Sequence, residues 1–153
     1  MEPFVFKDQC MKKFLLFIML VNLSCENATD KQVKDAIRRY DALILHTDAR
    51  GISNMYMMDG EMAPPGMSPI RGRDSIEHFL SAFKGVKVEE QKSTTDSIRK
   101  SDDTAFQYGK YYQRAVVNNS TVEVHGMFAA SWVFQPDGKL LLKRMSAWPA
   151  ANK

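Results

Sequence analysis

Cysteine is scarce: 153 residues hold only two, Cys10 and Cys25, too few for a disulfide framework. Charge of one sign is equally lacking, because 21 Lys and Arg stand against 18 Asp and Glu without a long basic run. The concentrated positive surface that a nucleic-acid partner requires is therefore missing, and no such partner is expected. No apolar run reaches the roughly 20 residues that a membrane-spanning helix takes. A Gly-x-Ser-x-Gly turn is absent, so serine-hydrolase chemistry has no support. The three histidines, His46, His78 and His125, fall on separate segments with no metal-ligand spacing; neither a metal nor another cofactor is expected. Collagen, coiled-coil and low-complexity patterns are also missing. What remains, at 44% hydrophobic and 25% charged, is the composition of one globular domain.

The clearest local signal lies near the start. Lys12-Lys13 precedes the apolar run Phe14 to Val21, and Asn22-Leu23-Ser24-Cys25 follows. A short basic end, a short apolar stretch and small residues form a signal-peptide layout, expected to cover residues 1–25 and possible to start at Met11. The Ser24-Cys25 ending resembles the lipobox of bacterial lipoproteins, although Asn22 stands where that family usually has Leu. The resemblance implies a lipidated Cys25, export to a bacterial periplasm or cell surface, and membrane contact through a lipid anchor alone. Ordinary cleaved secretion and an incidental cysteine are the alternatives. Removing residues 1–25 would take away three of the 21 basic and two of the 18 acidic residues, leaving a nearly neutral chain.

Residues 26–30 read as a tether, and residues 31–150 as the folded domain. Val33, Ile37, Tyr40 and Ile44 recur at three- and four-residue intervals, which predicts a helix over roughly 30–46. Ile52, Met55 and Tyr56 mark a second short helix, followed by a short strand at 61–63 and the Pro64-Pro65-Gly66 turn. Ile76, Phe79, Leu80 and Phe83 predict a third helix running to Gly85. After Val86 the pattern changes to β-branched and aromatic segments over 86–99, 104–117, 121–134 and 139–148, broken by turn residues. Helices followed by consecutive hairpins give an α+β class, three helices packed on one face of a curved antiparallel sheet.

The string from Asn54 to Gly66, with Ile70-Arg71-Gly72-Arg73-Asp74, resembles the nuclear transport factor 2-like superfamily, above all its ketosteroid-isomerase-like and SnoaL-like small domains. Tyr108-Gly109-Lys110-Tyr111, Gly126-Met127-Phe128 and Met145-Ser146-Ala147-Trp148 occur in that family's order. The resemblance implies a cystatin-like cone with a pocket between sheet and helices. It also allows a position-by-position comparison with ketosteroid isomerases, which use a carboxylate base and an oxyanion hole of a tyrosine and a protonated aspartic acid. Tyr40 keeps the family tyrosine's place, sixteen residues before Tyr56. The base position falls near Pro64 and the oxyanion acid at or beside Ala130, while Ser146 stands where other members have an aspartate. Proton relay by the isomerase mechanism is thereby disfavoured.

Strand alternation suggests that Arg144, Ser146 and Trp148 share a face with Phe128 and Ala130 and line the pocket. Tyr40, Tyr56 and Met62 complete the expected ligand-binding set. Met55, Met57, Met58 and Met67 are expected with Met62 around the entrance, where thioethers adapt to varied apolar shapes, or else as core filling, the favoured alternative. An inward Arg144 would suit an acidic ligand group; a structurally paired Arg144 is the alternative. Three classes follow: an exported domain binding a mostly apolar ligand with a carbonyl or acidic group, an isomerase- or cyclase-type enzyme on an apolar carbonyl substrate, or a homodimeric assembly module. For the last, Val124, His125, Met127, Ala129 and Tyr111 are the expected surface.

Overall fold

A computed structural model describes residues 27–150. The basic end, the apolar run and Cys25 lie outside the described residues. Three helices are present, α1 (Ala28–Leu45), α2 (Ala49–Asn54) and α3 (Arg73–Ser81), the last of which follows the first two strands rather than preceding the sheet. They pack against a sheet of β1 (Tyr56–Ala63), β2 (Ile70–Arg71), β3 (Lys87–Ser101), β4 (Thr104–Val117), β5 (Ser120–Phe134) and β6 (Leu140–Pro149).

Local chemistry explains where these elements begin. The Asn27 side chain accepts from the Thr29 amide at 3.1 Å and caps α1, and Asp30 in the first turn suits the positive end of the helix. Val33, Ile37 and Tyr40 then form its buried stripe. Asp48 caps α2 through the Gly51 amide at 2.8 Å. Between β4 and β5 the pairing of Val117 with Ser120 leaves a two-residue loop, Asn118-Asn119, both at positive φ. That is the conformation whose twist matches paired strands, and asparagine tolerates it.

The strand order is β2-β1-β6-β5-β4-β3. All neighbours are antiparallel except β1 and β6, which run parallel, so the sheet is mixed rather than antiparallel throughout. Three boundaries also differ from expectation. The second helix stops at Asn54, and Tyr56 already opens β1. The third helix ends at Ser81, ahead of a turn that leads to Gly85. Between Tyr56 and Glu61 the register against β6 shifts, which breaks the alternation of Met57, Met58 and Asp59 that would have marked a strand.

Burial alternates over the first half of β4: Ala105 and Gln107 are buried, whereas Phe106 and Tyr108 are exposed. The inner sheet face meets the helices in one core that includes Val33, Ile37, Tyr56, Ile76, Trp132 and Leu142. Its polar atoms are satisfied in sequence. The Trp132 indole donates to Gln107 Oε1 at 2.8 Å, and Gln107 Nε2 donates to Thr95 Oγ1 at 2.8 Å.

Candidate functional site

The inner sheet face does not meet the helices everywhere. Gly109 lies opposite Phe128, and Gly126 lies opposite Tyr111. A Cβ on Gly109 would sit 2.7 Å from the Phe128 ring, and one on Gly126 would sit 2.4 Å from the Tyr111 ring. Each ring therefore folds flat over the strand beside it, which only a glycine allows. Above these rings a cavity of about 300 Å³ opens between sheet and helices. Ile37, Tyr40 and Ile44 supply the α1 wall, Phe79 and Leu80 the α3 wall, and Met62 to Pro65 the side under β1. Phe128, Met145 and Ala147 form the floor from β5 and β6.

One corner is polar. Gln91 pairs with Gln113, and Ser93 with Tyr111, across β3 and β4, and all four reach the cavity. Behind that corner the Asp41 carboxylate accepts from the Ser93 amide at 2.7 Å, from Ser93 Oγ at 2.7 Å and from Gln91 Nε2 at 3.0 Å. These bonds tie α1 to β3 and orient both side chains. No Asp, Glu, Lys, Arg or His is among the described residues that line the cavity.

Next to Asp41 on α1, Tyr40 belongs to a pair of phenols. Tyr40 and Tyr56 approach to 3.1 Å between hydroxyls, with their rings edge to face. Tyr40 lines the cavity; Tyr56, fully buried, stands behind it. Burial pushes the Tyr40 phenol up to about 12, with the Tyr56 hydrogen bond opposing the rise and the Asp41 charge adding to it. Burial also raises Tyr56 well above the usual phenol value, and Tyr40 raises it further. Both hydroxyls thus stay protonated, so the pair offers a hydrogen bond to a guest oxygen rather than a base.

Tyr56, expected on the cavity, is instead buried behind Tyr40, whereas Tyr40, Met62 and Phe128 line the cavity. Arg144, Ser146 and Trp148 do not. They do share one face, since Arg144 Nε donates to Ser146 Oγ at 3.0 Å, but it is the opposite face of the sheet. The register pairs Ala130 with Met145 and Phe128 with Ala147, so Met145 and Ala147 look inward and their neighbours outward. The Arg144 side chain is 55% exposed and lies 3.2 Å from Glu61 Oε1, while Arg71 donates to Glu61 Oε2 at 2.9 Å. Arg144 is a structurally paired arginine. Of the methionines, Met55 belongs to the core, and Met58 and Met67 are exposed; Met62 and the unforeseen Met145 face the cavity.

Pro64 lines the cavity and Ala130 is buried on the inner face, so neither position supplies a carboxylate. Tyr111 and Val124, expected on an assembly surface, line the cavity instead. His125 is outward, its ring tilted against Tyr112 with centroids 4.9 Å apart, and belongs to the outer sheet face with Phe106, Tyr108 and Trp148. Sequence reasoning missed the Gln91, Ser93 and Gln113 corner. Residues 91–95 are polar without a break, so no alternation marked Gln91 and Ser93 as inward.

No protein-family profile and no curated protein matches the chain in sequence. Solved structures do match in shape. A ketosteroid isomerase-like protein from Erwinia carotovora atroseptica superposes with a TM-score of 0.73 at 15% identity, covering 82% of this chain and 99% of that one. A nuclear transport factor 2-like protein with a cystatin-like fold from Novosphingobium aromaticivorans gives 0.69 at 15% identity, covering 96% and 92%. A candidate dehydratase of the nuclear transport factor 2-like family from Streptomyces avermitilis gives 0.67 at 14% identity, covering 80% and 97%. The chain has the cystatin-like fold of these proteins.

Proposed function

We propose that this cystatin-like chain is an exported small-molecule-binding domain, and that its ligand is neutral, mostly apolar and carries a carbonyl received by Tyr40. The observation that carries the reading is a largely apolar cavity with no charged side chain among its described lining residues, with Tyr40 in its wall and the Tyr40 hydroxyl 3.1 Å from that of Tyr56. When Tyr56 donates to Tyr40, the Tyr40 proton is free for the ligand, and the bond it makes is strengthened by the one behind it. An acidic ligand loses its support once Arg144 lies outside, because a buried carboxylate without a partner is strongly disfavoured. Ketosteroid isomerase-like and dehydratase relatives in shape keep an enzyme reading in view. Pro64 and Ala130 leave such chemistry without a base in the cavity, so binding is the better supported reading.

Export rests on Lys12-Lys13, the apolar run and Cys25. A second reading, a homodimer, rests on the outer sheet face, where Phe106, Tyr108 and Trp148 are each about 40% exposed or more. The two readings are compatible, since the cavity opens on the other side of the sheet.

Calorimetric titration of neutral ketones, steroids and matched aromatic acids tests the site. Neutral ketones are expected to bind better than acids. Tyr40→Phe should weaken them about 2- to 12-fold, the value of one neutral hydrogen bond of roughly 0.5–1.5 kcal/mol. Arg144→Met should leave them unchanged. Weakening by Arg144→Met with no effect of Tyr40→Phe would overturn the assignment.

A further inference from the structure

Beside the cavity just described lies a second one of about 220 Å³, reached between α1, α2, the segment after α3 and the start of β3. Thr47, Ala49, Phe83, Val86 and Val88 line it, and none of them is charged. Ile44, Ile52, Leu80 and Gln113 border both cavities, so a single layer of side chains separates them. That layer is not sealed in the way a core is. Ile52 is 3% exposed, but Ile44, Leu80 and Gln113 are only partly buried. The Gln113 amide makes no hydrogen bond to any described residue, so turning it aside breaks none. Ile44 and Leu80 pack against the core from its partly buried margin, where an apolar ligand chain can replace the contacts that a rotamer change gives up.

A movable polar amide in a wall between two uncharged apolar spaces has no evident packing purpose. Gln113 is only partly buried, and its amide can meet a passing ligand oxygen without breaking a bond within the protein. Resting on the reading above, we propose that the two cavities are the halves of one channel for an elongated neutral ligand. Its carbonyl end sits at Tyr40, and its hydrocarbon chain passes Gln113 into the space under Phe83 and Val88. The substrate class narrows accordingly, from any compact carbonyl compound to a straight-chain one.

The test titrates the full chain with straight-chain methyl ketones from hexanone to tetradecanone. Each buried methylene contributes about fourfold in affinity, so the wild-type affinity should climb steadily with length. Val88→Trp fills the second space from β3. It should leave the shorter ketones unaffected and end the climb early, so that the longest lose more than tenfold against wild type. Ala49→Trp blocks the same space from α2 and serves if Val88→Trp does not fold. A wild-type affinity that levels off at the shorter ketones, or superposable profiles in wild type and blocked variant, overturns the channel while leaving the Tyr40 site standing. Failure of every ketone to bind overturns the site and the channel together.

Discussion

Alkaline pH probes the Tyr40 and Tyr56 pair without any ligand. The Tyr40 phenol is held at about 12 in the folded protein against an ordinary 10.0, chiefly by burial. Its folded value is raised, so the stability linked to its proton is fully present below pH 10 and is lost as pH rises towards 12. Through that window the unfolded chain gives up the proton while the folded chain retains it. That rise corresponds to roughly 3 kcal/mol, of which about 2 kcal/mol is lost by pH 11.5. Tyr40→Phe keeps the ring packing and removes the titration. At pH 8 it should be the less stable protein, by roughly 0.5–1.5 kcal/mol for the lost hydrogen bond. The gap should close as pH rises, and near pH 11 the variant should become the more stable of the two. Urea denaturation at half-unit intervals from pH 8 to 11.5 measures this directly, since lysine titration and other general alkaline effects act on both proteins and cancel in the difference. Parallel stability curves would show that the phenol is neither buried nor coupled as described.

Two further outcomes are open to simple assays. The outer sheet face predicts a dimer in sedimentation at tens of micromolar protein, and Trp148→Asp should shift it to monomer with an unchanged circular dichroism spectrum; a monomeric wild type would end the assembly reading. The Lys12-Lys13, apolar and Cys25 order predicts fatty-acid incorporation in cells that disappears in Cys25→Ser, and equal labelling of both proteins would remove the lipid anchor.

Much of the fold was legible because it is written between near neighbours in the chain. The spacing of Val33, Ile37 and Tyr40 makes α1 bury one stripe, and Asn118-Asn119 turns the chain between strands of alternating residues. The sixteen-residue interval from Tyr40 to Tyr56 marked Tyr40 through the family resemblance, but that the two hydroxyls meet at 3.1 Å is visible only in the structure. Where local pattern was broken, reading failed: β1 starts at Tyr56, but its register shift hides the alternation by which a strand is recognised.

The sequence by itself determined which residues of β6 stand together: Arg144, Ser146 and Trp148 on one side, Met145 and Ala147 on the other, since successive side chains of a strand alternate. Only the tertiary structure decided which side faces the helices. That choice depends on the register with β5, where Ala130 meets Met145, and on the parallel pairing of β6 with β1, which comes some eighty residues earlier in the chain. The same holds for Asp41, whose bonds to Gln91 and Ser93 span about fifty residues and build the polar corner of the cavity. Periodicity is a property of one segment, whereas a pocket wall is a relation between segments, fixed by burying the largest apolar area with its polar atoms satisfied.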